Sequence, residues 1–169
     1  MHALVCHPES RAGPVRNLRA AIRRTPAGLA LTFVLEADLE RLKIPPPRPP
    51  GIVARLWEHT CCEIFIARPH GPAYHEFNLS PSGEWAAHAF ERYREGAMLA
   101  DPALDPRIVV RRQPGGLDLS AVIDLPDKES RVGLAAVIEA ADGSLSYWAL
   151  RHPPGKPDFH HPDAFALAL

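Results

Sequence analysis

Proline is the residue that most constrains how this chain folds. Nineteen of its 169 residues are proline, about twice ordinary usage. Each one removes a backbone donor and fixes φ, which breaks helices and the interiors of sheets. So dense a load argues against a helical bundle and for short elements joined by stiff loops. At this length a fold buries roughly two-thirds of the surface its unfolded chain exposes, so a core needs no disulfide or metal. One domain over 1–169 is the expectation.

Between the prolines the apolar residues alternate. Leu29, Leu31, Phe33 and Leu35 interleave with Ala30, Thr32, Val34 and Glu36, a strand with one buried face. Residues 14–24 suit either a helix or an exposed strand that turns at Pro26-Ala27-Gly28; the strand is favoured. Asp38 to Lys43 suits one helical turn. It runs into Pro45-Pro46-Pro47-Arg48-Pro49-Pro50, which is extended polyproline-like backbone. That run is read as a rigid connection rather than as a docking peptide for an SH3-like partner. In Cys61–Ala67, one face carries Cys62, Ile64 and Ile66 and the other Cys61, Glu63 and Phe65. After a hairpin-length loop, Arg68 to Pro72, Tyr74, Glu76 and Asn78 fall on one face and His75, Phe77 and Leu79 on the other.

Further strands are expected at 84–90, 107–112, 117–125, 132–140 and 145–150, with 91–106 a polar loop. The tail, His152 to Pro162, shows no periodicity. About nine strands and no strong helix read as an all-β antiparallel β-sandwich, immunoglobulin-like or jelly-roll-like, with Pro-rich loops.

Bulk numbers exclude several partners. The net charge is −1, so no global basic field attracts nucleic acid or anionic lipid. No apolar stretch approaches the ~18 residues that span a bilayer. The start, Met1-His2-Ala3-Leu4-Val5, lacks the basic and apolar regions of a secretory signal. Cys6, Cys61 and Cys62 form no even disulfide framework. Reducing cytoplasm is therefore the expected compartment; oligomeric state stays open.

The most specific pattern lies between Trp57 and Tyr93. A Cys62-Glu63-x-Phe65-Ile66 strand, a short loop, a Tyr74-x-Glu76-Phe77-Asn78 strand and a turn containing Pro81 and Gly83 follow in order. The segment resembles the central hairpin of the DOMON-like superfamily, which includes the family 9 carbohydrate-binding modules. It is similar most of all to uncharacterised bacterial DOMON-like proteins, in which the tail Lys156-Pro157-Asp158-Phe159-His160-His161 also has a counterpart. That resemblance implies a sandwich that binds sugars or haem.

A sugar site needs flat aromatic rings and amide or charged side chains for hydroxyls. Trp57, Tyr74, Trp85, Tyr93 and Trp148 are the candidate platforms, although a strand Trp is more often core. Glu63, Glu76, Asn78, Arg92, Lys156 and His160 are the candidate polar partners. If Glu63 and Glu76 share a face, two carboxylates meet, and Arg92 or Lys156 would be their natural counter-charge. The leading expectation is a non-catalytic binder of a carbohydrate or similar polar small molecule, without a cofactor. The alternatives are a hydrolase-type enzyme using Glu63, Glu76 and a histidine, with or without a divalent metal, and non-covalent haem binding through Met98 and a histidine. No zinc-ligand spacing, nucleophile elbow or phosphate-cradling glycine loop is present.

Overall fold

The structure, a computed structural model, describes residues 1–68, 70–124 and 131–169. Pro69 of the expected hairpin loop and Leu125 at the end of an expected strand lie outside the described residues. Among the described residues thirteen strands run in chain order. They are β1 (His2–Ala3), β2 (Val5–Cys6), β3 (Val15–Thr25), β4 (Gly28–Ala37), β5 (Cys61–Ala67), β6 (Tyr74–Leu79) and β7 (Trp85–Arg92). Then come β8 (Glu95–Met98), β9 (Val109–Gln113), β10 (Gly116–Ile123), β11 (Arg131–Glu139), β12 (Leu145–Ala149) and β13 (Leu167–Ala168). Among the described residues helical structure is confined to three-residue 3-10 turns such as Leu39–Arg41 and Leu56–Glu58.

Two antiparallel sheets form a sandwich. The first has the order β1-β3-β4-β10-β9; the second runs β2-β12-β11-β5-β6-β7-β8, with β13 added beside β11. The ambiguous 14–24 segment is strand β3. Its hairpin with β4 closes through Pro26-Ala27, with Thr25 paired to Gly28. Gly28 has φ 115°, and a Cβ there would meet the Ile123 carbonyl oxygen at 2.3 Å, so the turn and the neighbouring strand both require glycine.

The core lies between the sheets, and strand parity fills it. β4 sends in Leu29, Leu31, Phe33 and Leu35, β10 sends in Leu117, Leu119, Ala121 and Ile123, and β5 sends in Cys62, Ile64 and Ile66. Each such side chain contributes about 1.5–3 kcal/mol by leaving water. The proline run crosses from the first sheet to the second, held where the Arg48 N–H donates to the Ser82 carbonyl at 2.7 Å.

The second sheet is buried on its outer face as well. There Phe65, Tyr74, Ala135, Val137 and Ala149 pack against Phe159, Ala164 and Phe165 of the C-terminal segment. That covering segment makes the outer face concave.

One expected loop is a strand. β8 pairs with β7 inside the 91–106 segment. Arg94, at φ 56°, turns the chain back, and Gly96 sits where any Cβ would strike the Ala89 carbonyl oxygen at 2.2 Å. With its Glu, Gly and Ala, β8 lies fully exposed and shows no apolar alternation.

Candidate functional site

A cavity of about 580 Å³ opens between the outer face of the second sheet and the C-terminal tail. Strand parity aims its floor residues. In the β5–β6 ladder Glu63 stands opposite Asn78 and Phe65 opposite Glu76; in the β6–β7 ladder Glu76 stands opposite His88. All five side chains therefore leave the same face of the sheet.

Glu63 and Glu76 are only 3% and 4% exposed, yet both line the cavity. Burial, reinforced by the neighbouring Glu76, pushes the Glu63 carboxyl well above the usual carboxylate range. Burial also pushes Glu76 up to about 6, against the opposing pull of an Asn78 hydrogen bond and of Arg94. Asn78 Nδ2 donates to Glu76 Oε1 at 2.7 Å. No described residue donates a hydrogen bond to the Glu63 carboxyl.

The tail supplies the opposite wall. Asp158 accepts from Tyr93 Oη at 2.6 Å and from Arg94 Nη2 at 2.9 Å, which fastens the tail to the β7–β8 turn. Pro157, Phe159 and His160 then face the cavity. Tyr74 Oη accepts from the Arg94 N–H at 3.1 Å and lies 2.8 Å from His160 Nδ1. We assign the Tyr74 proton to that contact, which leaves the imidazole proton on Nε2, 3.8 Å from Glu76 Oε2. Burial, with Arg94 nearby, holds His160 down at about 4, so it is neutral at pH 7. His88 is also lowered by burial, and its Nδ1 is buried without a hydrogen-bond partner among the described residues.

Apolar surface completes the enclosure through Phe90, Tyr147, Phe159 and Trp57. Trp57 stands at the mouth, 40% exposed, with its ring edge-on to His88 at 5.9 Å. The arrangement offers flat rings, a carboxyl pair that both donates and accepts, and one guanidinium. Such a set grips a small polar ligand with hydroxyl groups on a partly apolar frame.

Of the eleven sequence candidates, Trp57, Glu63, Glu76 and His160 line the cavity, and Tyr93 anchors the tail through Asp158. Tyr74 and Asn78 are buried behind it and hold His160 and Glu76 in place. Trp85 and Trp148 lie elsewhere, in the core between the sheets. Trp85 pairs with inward-facing Leu79 and Trp148 with inward-facing Ala136; the Trp148 Nε1–H is satisfied by Ser146 Oγ at 2.9 Å. Arg92 points away and pairs with Glu95 at 3.2 Å, and Lys156 is exposed outside the lining.

The guanidinium beside the carboxyl pair belongs to Arg94, two residues past Arg92. A bulge between Phe90 and Arg92 and the left-handed turn at Arg94 shift the parity there. His88 and Phe90 lie in the strand expected over 84–90, Tyr147 in the one expected over 145–150 and Phe159 in the tail motif, but nothing local assigned any of the four to a cavity wall.

Met98 and His88 are not placed to flank a haem iron together. Met98 lies on edge strand β8, and the histidine opposite it, His88, is its lateral neighbour on the same sheet face. Axial ligands must approach iron from opposite sides of the haem plane. Among the described residues no group of three or more His, Cys, Asp and Glu side chains is placed to hold a metal ion. No helix among them is long and apolar enough to cross a membrane.

Fold and site together define an antiparallel β-sandwich with a small-molecule-sized pocket on the outer face of one sheet. The chain is similar in fold to a Bacteroides uniformis protein of solved structure bearing the description "putative carbohydrate-binding protein". The match has a TM-score of 0.64 at 14% sequence identity, and covers 96% of this chain and 82% of the other. No family model matches the chain, and no curated protein does.

Proposed function

We propose that this chain is a non-catalytic, DOMON-like β-sandwich that binds a carbohydrate or a similar polyhydroxylated small molecule in the cavity above β5, β6 and β7. The observation that carries the reading is the buried Glu63–Glu76 pair opening into a 580 Å³ cavity walled by Trp57, Phe90, Tyr147 and Phe159. A protonated carboxyl beside an ionised one offers a donor and an acceptor to vicinal hydroxyls, and the rings cover the apolar faces of a pyranose. The description of the Bacteroides uniformis neighbour supports the ligand class. The hairpin pattern of residues 62–83 supports the DOMON-like relationship. Three free cysteines, two of them buried, accord with a reducing cytoplasm.

A thermal-shift screen against mono- and oligosaccharides, followed by calorimetry, tests the reading. Saturable binding should weaken at least tenfold in Trp57→Ala and in Glu63→Gln. Failure of every sugar in the screen to bind would sink the proposal.

A further inference from the structure

Among the described residues the carboxyl pair has one cationic neighbour, Arg94, and receives no hydrogen bond from it. Glu63 and Glu76 lie on neighbouring strands and face the same cavity, each more than nine-tenths buried. Buried charges are ordinarily paired. The titratable groups around this pair are Arg94, His88, His160, the buried Cys61 and Tyr74 and, at the mouth, Glu58. Arg94 is committed elsewhere: its Nη2 donates to Asp158 Oδ1 at 2.9 Å and its Nε to Tyr93 Oη at 3.2 Å. His160 is held neutral with its Nδ1 occupied by Tyr74. His88 is disfavoured as a cation by burial, and Glu58 adds negative charge.

Glu63 supplies the second observation. Its side chain is buried, opens on the cavity and receives no hydrogen bond from any described residue. Its carboxyl oxygens are not sealed off from the cavity, so the donor they lack within the chain is one that a molecule in the cavity can supply. The rings of Trp57, Phe90, Tyr147 and Phe159 line the same cavity, and a ring whose face is turned to a cation attracts it.

We infer that the cavity takes an amine-bearing ligand, an amino sugar in the terms of the function proposed above, whose ammonium group sits between Glu63 and Glu76. The ammonium provides three donors, enough for Glu63, for the free Glu76 Oε2 and for one further acceptor. Binding ionises Glu63, and its proton passes to the buffer. The neutral counterpart of the same sugar gains no such charge pairing.

Calorimetry tests this at pH 7 in two buffers of different ionisation enthalpy. The probes are glucosamine, galactosamine and mannosamine, each beside its parent hexose and its N-acetyl derivative. Amino sugars should bind at least tenfold tighter than their neutral partners, with a buffer-dependent heat that reports proton release. Glu63→Gln and Glu76→Gln, each checked for folding by thermal unfolding, should abolish the preference. Parent hexoses that bind as tightly as the amino sugars overturn the inference and leave the carbohydrate reading standing. Amino-sugar binding with no proton release also overturns it. Silence from every sugar overturns both.

Discussion

Glu63 and Glu76 tie the site to the stability of the fold. A carboxyl whose folded pKa is raised stays protonated longer in the native state than in the unfolded one. Between the two values the native chain therefore holds more protons, and stability falls as pH rises. Glu76, raised from 4.5 to about 6, loses about 2 kcal/mol by this route once the pH exceeds both values. Glu63, raised further, extends the decline to higher pH. His160 has the opposite sign: lowered from 6.5 to about 4, it makes the fold less stable as pH falls through that window. The two slopes oppose each other below pH 6.5, and above it the carboxyl slope stands alone. Glu63→Gln should accordingly raise Tm at pH 8 and raise it much less at pH 5. Thermal melts at the two pH values check this, and an equal gain at both would contradict the buried-carboxyl account. Alternation left open whether these two glutamates share a face; the register of β5 and β6, with Phe65 opposite Glu76, decides it. Their neighbouring cation was not legible, because a bulge and a left-handed residue put Arg94 rather than Arg92 beside them.

At the scale of elements, the tail is what turns an outer sheet face into a cavity. It contributes no long strand over 152–162 and carries no period, so nothing local marks it as a wall. It is held by Asp158, which takes hydrogen bonds from Tyr93, Arg94 and the His160 N–H at 3.1 Å. Burial alone would raise the Asp158 carboxyl, and the hydrogen bonds from Tyr93 and Arg94 outweigh it and hold it below its ordinary value. Asp158→Ala removes all three acceptor contacts and should cost about 1–3 kcal/mol of local stability. Amide exchange should speed up across 156–161 while β5 and β6 stay protected, and any ligand found should bind more weakly. Unchanged exchange in the tail would mean that Phe159 and Phe165 alone hold it. β8 shows the complementary limit. Its Glu-Gly-Ala-Met sequence offers no apolar alternation, because an edge strand exposed on both faces has nothing to bury.

Across the whole molecule, the second sheet has two buried faces that do different work. Its inner face meets the first sheet and carries stability; its outer face, under the tail, carries the site. Phe33 belongs to the first sheet, is fully buried between the two and lies far in sequence from every cavity residue. Phe33→Ala should cost about 3–5 kcal/mol, from lost transfer energy and the cavity left behind. Urea unfolding should show a lower midpoint with an unchanged slope, and folded Phe33→Ala protein should keep its ligand affinity.

Proline spacing and period-two alternation were enough to determine an all-β sandwich and to sort most strand residues to their faces. Both are local properties: a pleated strand alternates whatever it pairs with, and a proline interrupts whatever surrounds it. Tertiary structure alone decided which aromatic rings were core and which were wall. Trp85 and Trp148 looked like platforms but turned inward, whereas Tyr147 and Phe159 became walls. Apolar burial is non-directional, so a ring's sequence neighbourhood does not say which surface will cover it. Only the return of residues 157–165 across the outer sheet, some ninety residues on from the hairpin they cover, made that face a pocket.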